Sequence, residues 1–192
     1  MPPLPAIRPV ELHPIIVHFP IALLILAVIF DFLAVIFRRW GLADAASWML
    51  LVGVPGAAFA LLSGWVSEHY IALDSAANEI LHLHKLAAFS ASGLFGFLLV
   101  IRLVWLAPRI FNAIGAFAPT TQPMLSAAGG ALKAALPRLY EPEIPRVAVA
   151  LYLFLSVVAV GLLGATGYLG GALVYDHGVG TGLVPALASA LR

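Results

Sequence analysis

Residues 14–37 read PIIVHFPIALLILAVIFDFLAVIF, a stretch in which Asp31 is the only side chain with a formal charge. As a helix rising about 1.5 Å per residue, this stretch is long enough to cross a hydrocarbon core of about 30 Å. It is followed by Arg38, Arg39 and Trp40, two charges and an aromatic side chain of the kind found at membrane interfaces. The stretch therefore predicts a membrane-spanning helix, which either begins at Pro20 or is kinked there.

Three further apolar stretches of spanning length follow, at about residues 45–66, 76–106 and 146–174. The long connection at 107–144 is rich in Pro and Ala, and Met124 to Leu136 has the weak amphipathic pattern of an interfacial helix. The sequence predicts an all-α fold, an integral membrane four-helix bundle that forms a single membrane domain over residues 1–192.

The composition excludes several classes of protein. The chain is 62% hydrophobic, with 10 basic and 9 acidic residues, whereas a soluble domain has about 25% charged residues. We therefore expect the lipid bilayer to surround it. A net charge of +1 gives no clustered basic face for nucleic acid. The absence of Cys excludes disulfides, Cys-ligated iron–sulfur clusters and covalently attached haem, and we expect oxygen and nitrogen ligands for any metal.

The distribution of basic residues predicts an orientation. The loops after the first and third spans are flanked by Arg38, Arg39, Arg102, Arg109, Lys133, Arg138 and Arg146. The other side of the membrane has Arg8, Lys85 and Arg192. Since cytoplasmic loops carry the excess of Lys and Arg, we expect the loop at 107–144 in the cytoplasm and both termini in the periplasm. The predicted location is the bacterial cytoplasmic (inner) membrane, with several passes.

All six histidines fall on the predicted periplasmic side. They are His13, His18, His69, His82, His84 and His177. Imidazole is the common axial ligand of haem and a common ligand of zinc and copper, so a metal centre in the outer half of the bundle is the leading interpretation. Each of these side chains can equally be a solvated interfacial histidine. At about 100° per residue, His82 and His84 point to opposite faces of one helix, so the ligands of one site must come from different helices.

The haem hypothesis pairs His18 with His84 as axial ligands of a haem b, with Lys85 near a propionate. On the face of His84, Ala88, Ser92 and Gly96 form a strip of small residues that leaves space for a planar macrocycle. The same strip also suits close helix packing.

A second haem or metal site is available from the remaining histidines. It would combine His13 and His177, with His82 or His69 nearby. The number of haem groups therefore stays open between one and two.

Two charges lie in the predicted inner half of the bundle. Asp31 and Arg102 are at matching depth on the first and third helices, which predicts a buried ion pair. In the rival interpretation, Asp31 takes up protons on the side opposite the histidines.

Three segments carry a family resemblance: HPIIVHFPIAL at residues 13–23, SGW at 63–65, and GYLGG through VYDHG at 167–178. Over about residues 11–180 the chain resembles the bacterial four-helix membrane proteins known as domain of unknown function 2231. The resemblance implies a four-helix bundle whose recurrent histidines correspond here to His13, His18, His177 and one of His82 or His84. Some relatives resemble fusions to Rieske iron–sulfur domains, which implies electron transfer. No established activity comes with the family, and this chain has no Cys for such a cluster.

The sequence thus predicts a b-type cytochrome-like carrier that passes electrons between quinol or a membrane partner and a periplasmic redox protein. An iron–sulfur or cytochrome partner would be a separate subunit, and the sequence leaves open whether quinone binds. One alternative is a copper or zinc site made from His18, His84, His13 and His177. Another is a cofactor-free structural subunit of a larger membrane complex. Small-residue pairs such as Gly167 and Gly171 serve packing either within the bundle or between copies in a homo-oligomer. Whether the protein is an enzyme stays open.

Overall fold

The computed structural model describes residues 9–71, 73–117, 122–135 and 144–179. Its helices are α1 (Pro9–Phe37), α2 (Trp40–Glu68), α3 (Ser75–Phe117), α4 (Gln122–Ala135) and α5 (Arg146–Tyr175). Within the described ranges there is no strand, so the all-α fold is confirmed. Four segments are long and apolar enough to cross a membrane: Leu12–Phe37, Trp40–Glu68, Ser75–Leu106 and Arg146–Tyr175. The orientation of the termini stays a prediction.

The helices differ from the predicted spans mainly at their ends. Helix α1 begins at Pro9, so Pro20 lies inside it and the helix does not begin there. Helix α3 continues to Phe117, well past the predicted end at residue 106, and α4 occupies part of the predicted interfacial stretch. The span predictions count only the residues needed to cross the hydrocarbon, whereas helices also continue through the interface.

Helices α1 and α2 form a tight antiparallel pair. Arg38 adopts a left-handed conformation (φ 51°) that ends α1, and the Arg39 N–H donates to the Ala34 carbonyl at 3.1 Å. Further along the pair, a Cβ added at Gly53 would lie 2.9 Å from a Leu24 methyl carbon. The lack of a side chain at Gly53 is therefore what lets the two helices approach so closely.

The second main pair is α3 with α5, and the two pairs pack together around a common core. Leu24 of α1, Leu50 of α2, Phe95 and Leu98 of α3 and Ala159 of α5 are almost fully buried there. Large apolar side chains also cover the outside of the bundle, among them Trp48, Phe59, Phe97 and Phe154. Such an apolar exterior suits a lipid surrounding and not water.

One end of the bundle contains the start of α1, the end of α2, the start of α3 and the end of α5. We call it the histidine end, because all six histidines lie there. Contacts between His13 and Ser63, between Lys85 and Glu68, and between His177 and Asp74 hold these four helix ends together.

Candidate functional site

At the histidine end, His13 of α1 is held against α2 by two hydrogen bonds. Its Nδ1 donates to the Ala60 carbonyl at 3.1 Å and to the Ser63 hydroxyl oxygen at 3.0 Å. The ring lies directly over Gly64, where an added Cβ would be 3.0 Å from the His13 Cε1. Because a carbonyl oxygen can only accept, Nδ1 carries the proton and Nε2 has its lone pair available.

His84 of α3 is held against α5 in the same manner. Its Nδ1 donates to the Thr166 carbonyl at 2.9 Å, and its ring lies over Gly170, where an added Cβ would be 3.2 Å from the His84 Cε1. The Thr166 hydroxyl is directed elsewhere, to the Leu162 carbonyl at 2.9 Å. The main chain therefore fixes the ring of His84, and its Nε2 also has an available lone pair.

The two histidines share one local design. In both, the accepting carbonyl precedes the glycine under the ring by four residues, which is one turn of the supporting helix. His13 and His84 also lie at the same end of the bundle, where they interact electrostatically. Neither Nε2 forms a hydrogen bond within the described part of the chain. Two oriented imidazoles thus lie near each other, each with one nitrogen free to bind a ligand.

The other predicted histidines are placed differently. His18 is exposed on the outside of α1, and its Nδ1 donates to the Pro14 carbonyl of the same helix. His82 is exposed on α3, and exposed His69 donates from Nδ1 to the Trp65 carbonyl at 2.9 Å. His177 is half-buried, with Nδ1 4.0 Å from the Asp74 carboxylate. The structure brings His13 close to His84, whereas His18 faces outward, and the predicted pairing of His18 with His84 stays a prediction.

Lys85, expected near a propionate, makes an ion pair that links α3 to the end of α2. Its Nζ donates to both carboxylate oxygens of Glu68, at 2.9 and 3.0 Å. Both side chains are partly exposed. This ion pair lies beside His84 in the sequence and helps to fix the start of α3.

The predicted ion pair between Asp31 and Arg102 is present, and Tyr152 of α5 joins it. The Arg102 Nη2 donates to Asp31 Oδ1 and, at 3.1 Å, to the Tyr152 hydroxyl oxygen. The Tyr152 hydroxyl donates to Asp31 Oδ2 at 3.2 Å, and its ring packs under the guanidinium at 4.9 Å. All three side chains are buried. Asp31 is therefore committed to partners on α3 and α5, which favours a structural role for it.

Sequence reasoning did not find several groups in these sites. Ser63 and Gly64 belong to a segment noted for its resemblance, but nothing assigned them to the support of His13. The Thr166 carbonyl is a main-chain group, so the residue type at this position does not reveal its contact with His84. The available signal for Tyr152 was a tyrosine within the apolar stretch at residues 147–155.

The donor set limits the ligands that this end of the bundle can hold. Among residues 9–71, 73–117, 122–135 and 144–179, no group of three or more His, Cys, Asp or Glu side chains is placed to bind one metal ion. A zinc or copper ion needs three or four protein ligands. A haem iron takes four nitrogens from the porphyrin and needs only two imidazoles, as in b-type centres.

Comparison with known proteins gives one family and no characterised relative. The family model described as "Predicted membrane protein (DUF2231)" matches residues 9–121 and 106–183. No curated protein matches the chain, and no solved structure matches it.

Proposed function

The chain belongs to the DUF2231 family of membrane proteins, and on that premise we propose that it is an electron carrier that holds one haem b between His13 and His84. The observation that carries the proposal is the pair of imidazoles on α1 and α3. Each has Nδ1–H bonded to a main-chain carbonyl and Nε2 free. A hydrogen bond from the second ring nitrogen to a carbonyl is the usual way in which proteins orient a ligating histidine.

The protein's own contribution is orientation and exclusion of water. The absence of a side chain at Gly64 and Gly170 lets each imidazole lie close to its supporting helix, and the carbonyl bond fixes the tautomer that leaves a lone pair for iron. His13 and His84 are both half-buried, so a haem held between them would be partly shielded from water. When bound, haem supplies one-electron transfer, and its reduction potential depends on these ligands and their surroundings.

The proposal extends to the setting of this carrier. With the histidine end in the periplasm of a bacterial inner membrane, electrons would pass from quinol or a membrane partner to a periplasmic redox protein. The proposed redox partner is an iron–sulfur or cytochrome subunit, and an iron–sulfur cluster would have to be held by that separate subunit, since this chain has no Cys. The choice of His13 over His18 rests on burial: His13 points into the bundle, and His18 points out of it.

The test is an oxidised and a dithionite-reduced visible spectrum of detergent-purified protein, with iron, copper and zinc measured on the same sample. We expect a b-type spectrum with about one iron per chain, lost in His13→Ala and in His84→Ala. His82→Ala is the matched control, because it removes an exposed imidazole from the same helix as His84. A His18→Ala variant without the spectrum would support the pair His18 and His84 instead.

The alternatives give different results in the same measurements. Stoichiometric copper or zinc without haem would establish a metal site. A colourless and metal-free preparation, from cells supplied with haem, would contradict the proposal and favour a structural subunit.

A further inference from the structure

His18 is an imidazole on the outer surface of a membrane-spanning helix. It lies within the segment Leu12–Phe37, about 9 Å along α1 from Leu12. Its neighbours Ile15 and Phe19 are 62% and 61% exposed, so this face of α1 meets the lipid. Ionisable side chains within spans almost always face the interior or a partner and usually have a function. We therefore expect an outward imidazole at this position to bind a molecule that is dissolved in the membrane.

The hydrogen bond within α1 determines which hydrogen-bonding group that molecule must have. The Nδ1 of His18 donates to the Pro14 carbonyl, so Nδ1 holds the ring proton and Nε2 presents a lone pair to the lipid face. A matching partner must donate a hydrogen bond while dissolved among acyl chains. Beside the apolar side chains of Ile15 and Phe19, a flat ring with a hydroxyl group fits better than a charged headgroup.

His18 and His13 lie close together on α1 but point in different directions. The two residues lie on one helix, about 7.5 Å apart along its axis and about 140° apart around it. His13 turns toward α2 and the interior, and His18 turns toward lipid. An electron donor bound at His18 would therefore be separated from the proposed haem site by the thickness of one helix, about 10 Å.

We propose that His18 binds a membrane quinol, with its Nε2 accepting the hydrogen bond of a quinol hydroxyl. This inference rests on the proposed function in one respect, because the haem of that proposal is the acceptor of the quinol's electrons. A quinol that becomes a quinone loses two electrons and two protons. A haem held by His13 and His84 would supply the one-electron acceptor for both electrons in turn, and the redox partner would take them from it. One proton moves from the bound hydroxyl to His18 Nε2, and the other goes to water at the histidine end.

The experiment measures binding separately from electron transfer. Decylubiquinol and menadiol are titrated anaerobically into the protein in lipid nanodiscs, with quenching of tryptophan fluorescence as the readout, and each oxidised quinone is titrated in parallel. A lone pair on Nε2 pairs with a hydroxyl but not with a quinone carbonyl. We expect at least one quinol to bind more tightly than its quinone, and His18→Phe to weaken quinol binding about five- to tenfold, the loss of one net hydrogen bond.

His69→Phe is the matched control. His69 is exposed, and its Nδ1 is also bonded to a carbonyl four residues earlier, but it follows the last residue of α2. This variant should bind both quinols as the wild type does. His18→Asn, which can keep an acceptor on the same face, should recover part of the affinity that His18→Phe loses.

The outcomes separate this inference from the proposed function. Equal quinol binding by the wild type and His18→Phe would overturn the inference. A His18→Phe protein that loses its haem spectrum would also overturn it, because His18 would then be an iron ligand. A change in oligomeric state with quinol binding unchanged would show that a second copy covers this face. If the wild type holds no haem, the proposed function fails, and the titrations of that haem-free protein still test His18.

Discussion

The two polar sites inside the bundle satisfy their side chains in opposite ways. In the cluster of Asp31, Arg102 and Tyr152, the carboxylate, the guanidinium Nη2 and the hydroxyl are bonded to one another, and only the buried Arg102 Nε has no partner within the described ranges. At the histidine end, His13 and His84 are bonded through Nδ1 to the main chain, and their Nε2 atoms have no partner within the described ranges. A site whose polar groups bond mainly to one another, here called the closed site, stabilises the fold. A site with oriented imidazole lone pairs that have no partner can bind a ligand. The comparison favours a structural role for the first site and agrees with the ligand-binding role proposed for the second.

Breaking the closed site should have the largest effect on stability. Arg102→Leu leaves the Asp31 carboxylate buried without its cation, and breaking a buried ion pair costs about 3–5 kcal/mol. We expect this loss in the free energy of unfolding, measured by denaturant titration in detergent. Arg146→Leu, at an exposed arginine of α5, should have little effect.

A double variant sharpens this prediction. Asp31→Leu with Arg102→Leu removes both charges and should recover most of the stability that Arg102→Leu loses. If Arg102→Leu unfolds with the same free energy as the wild type, the cluster does not stabilise the bundle, and a chemical role for Asp31 regains support.

The glycines under the two imidazoles should show the next largest effect, and it should differ between them. Gly64→Ala would place a Cβ 3.0 Å from the His13 ring, and Gly170→Ala would place one 3.2 Å from the His84 ring. Overpacking of this kind costs about 1–3 kcal/mol, of which the higher helix propensity of Ala offsets about 1 kcal/mol. Relative to a Gly→Ala change at an open helical position, we therefore expect a loss, and the larger one for Gly64→Ala. Each variant should also displace its imidazole and weaken the haem spectrum.

Gly161→Ala is the control for both, since a Cβ there meets no atom within 4 Å. Thermal unfolding and the haem content of the three variants, measured together, test the prediction. Equal stability and a full spectrum in Gly64→Ala would contradict the close support of His13 by α2.

The sequence predicted the fold class and the ion pair between Asp31 and Arg102, because both follow from span length and depth. It did not predict Tyr152 in that cluster, since this requires knowing that α5 packs beside α3. It also did not predict which of His13 and His18 turns inward. That choice depends on the rotation of α1, which is set by its close contact with α2 at Gly53 and Gly64. Glycine positions show where helices can approach, but not which neighbour approaches them.

The smallest effect is expected at the ion pair between Lys85 and Glu68, which closes the histidine end without being buried. The two side chains are 42% and 33% exposed, and partly exposed pairs contribute at most about 1 kcal/mol, less in high salt. We expect Lys85→Met to lower the free energy of unfolding by less than Gly64→Ala does, and the loss to vanish near 1 M salt. Exchange of the two charges in a Glu68→Lys, Lys85→Glu variant should restore it. The contrary result would be a loss in the free energy of unfolding that exceeds that of Gly64→Ala and persists in high salt. The ion pair between Lys85 and Glu68 would then stabilise the fold as the cluster of Asp31, Arg102 and Tyr152 does, and the histidine end would not differ from that cluster at the start of α3.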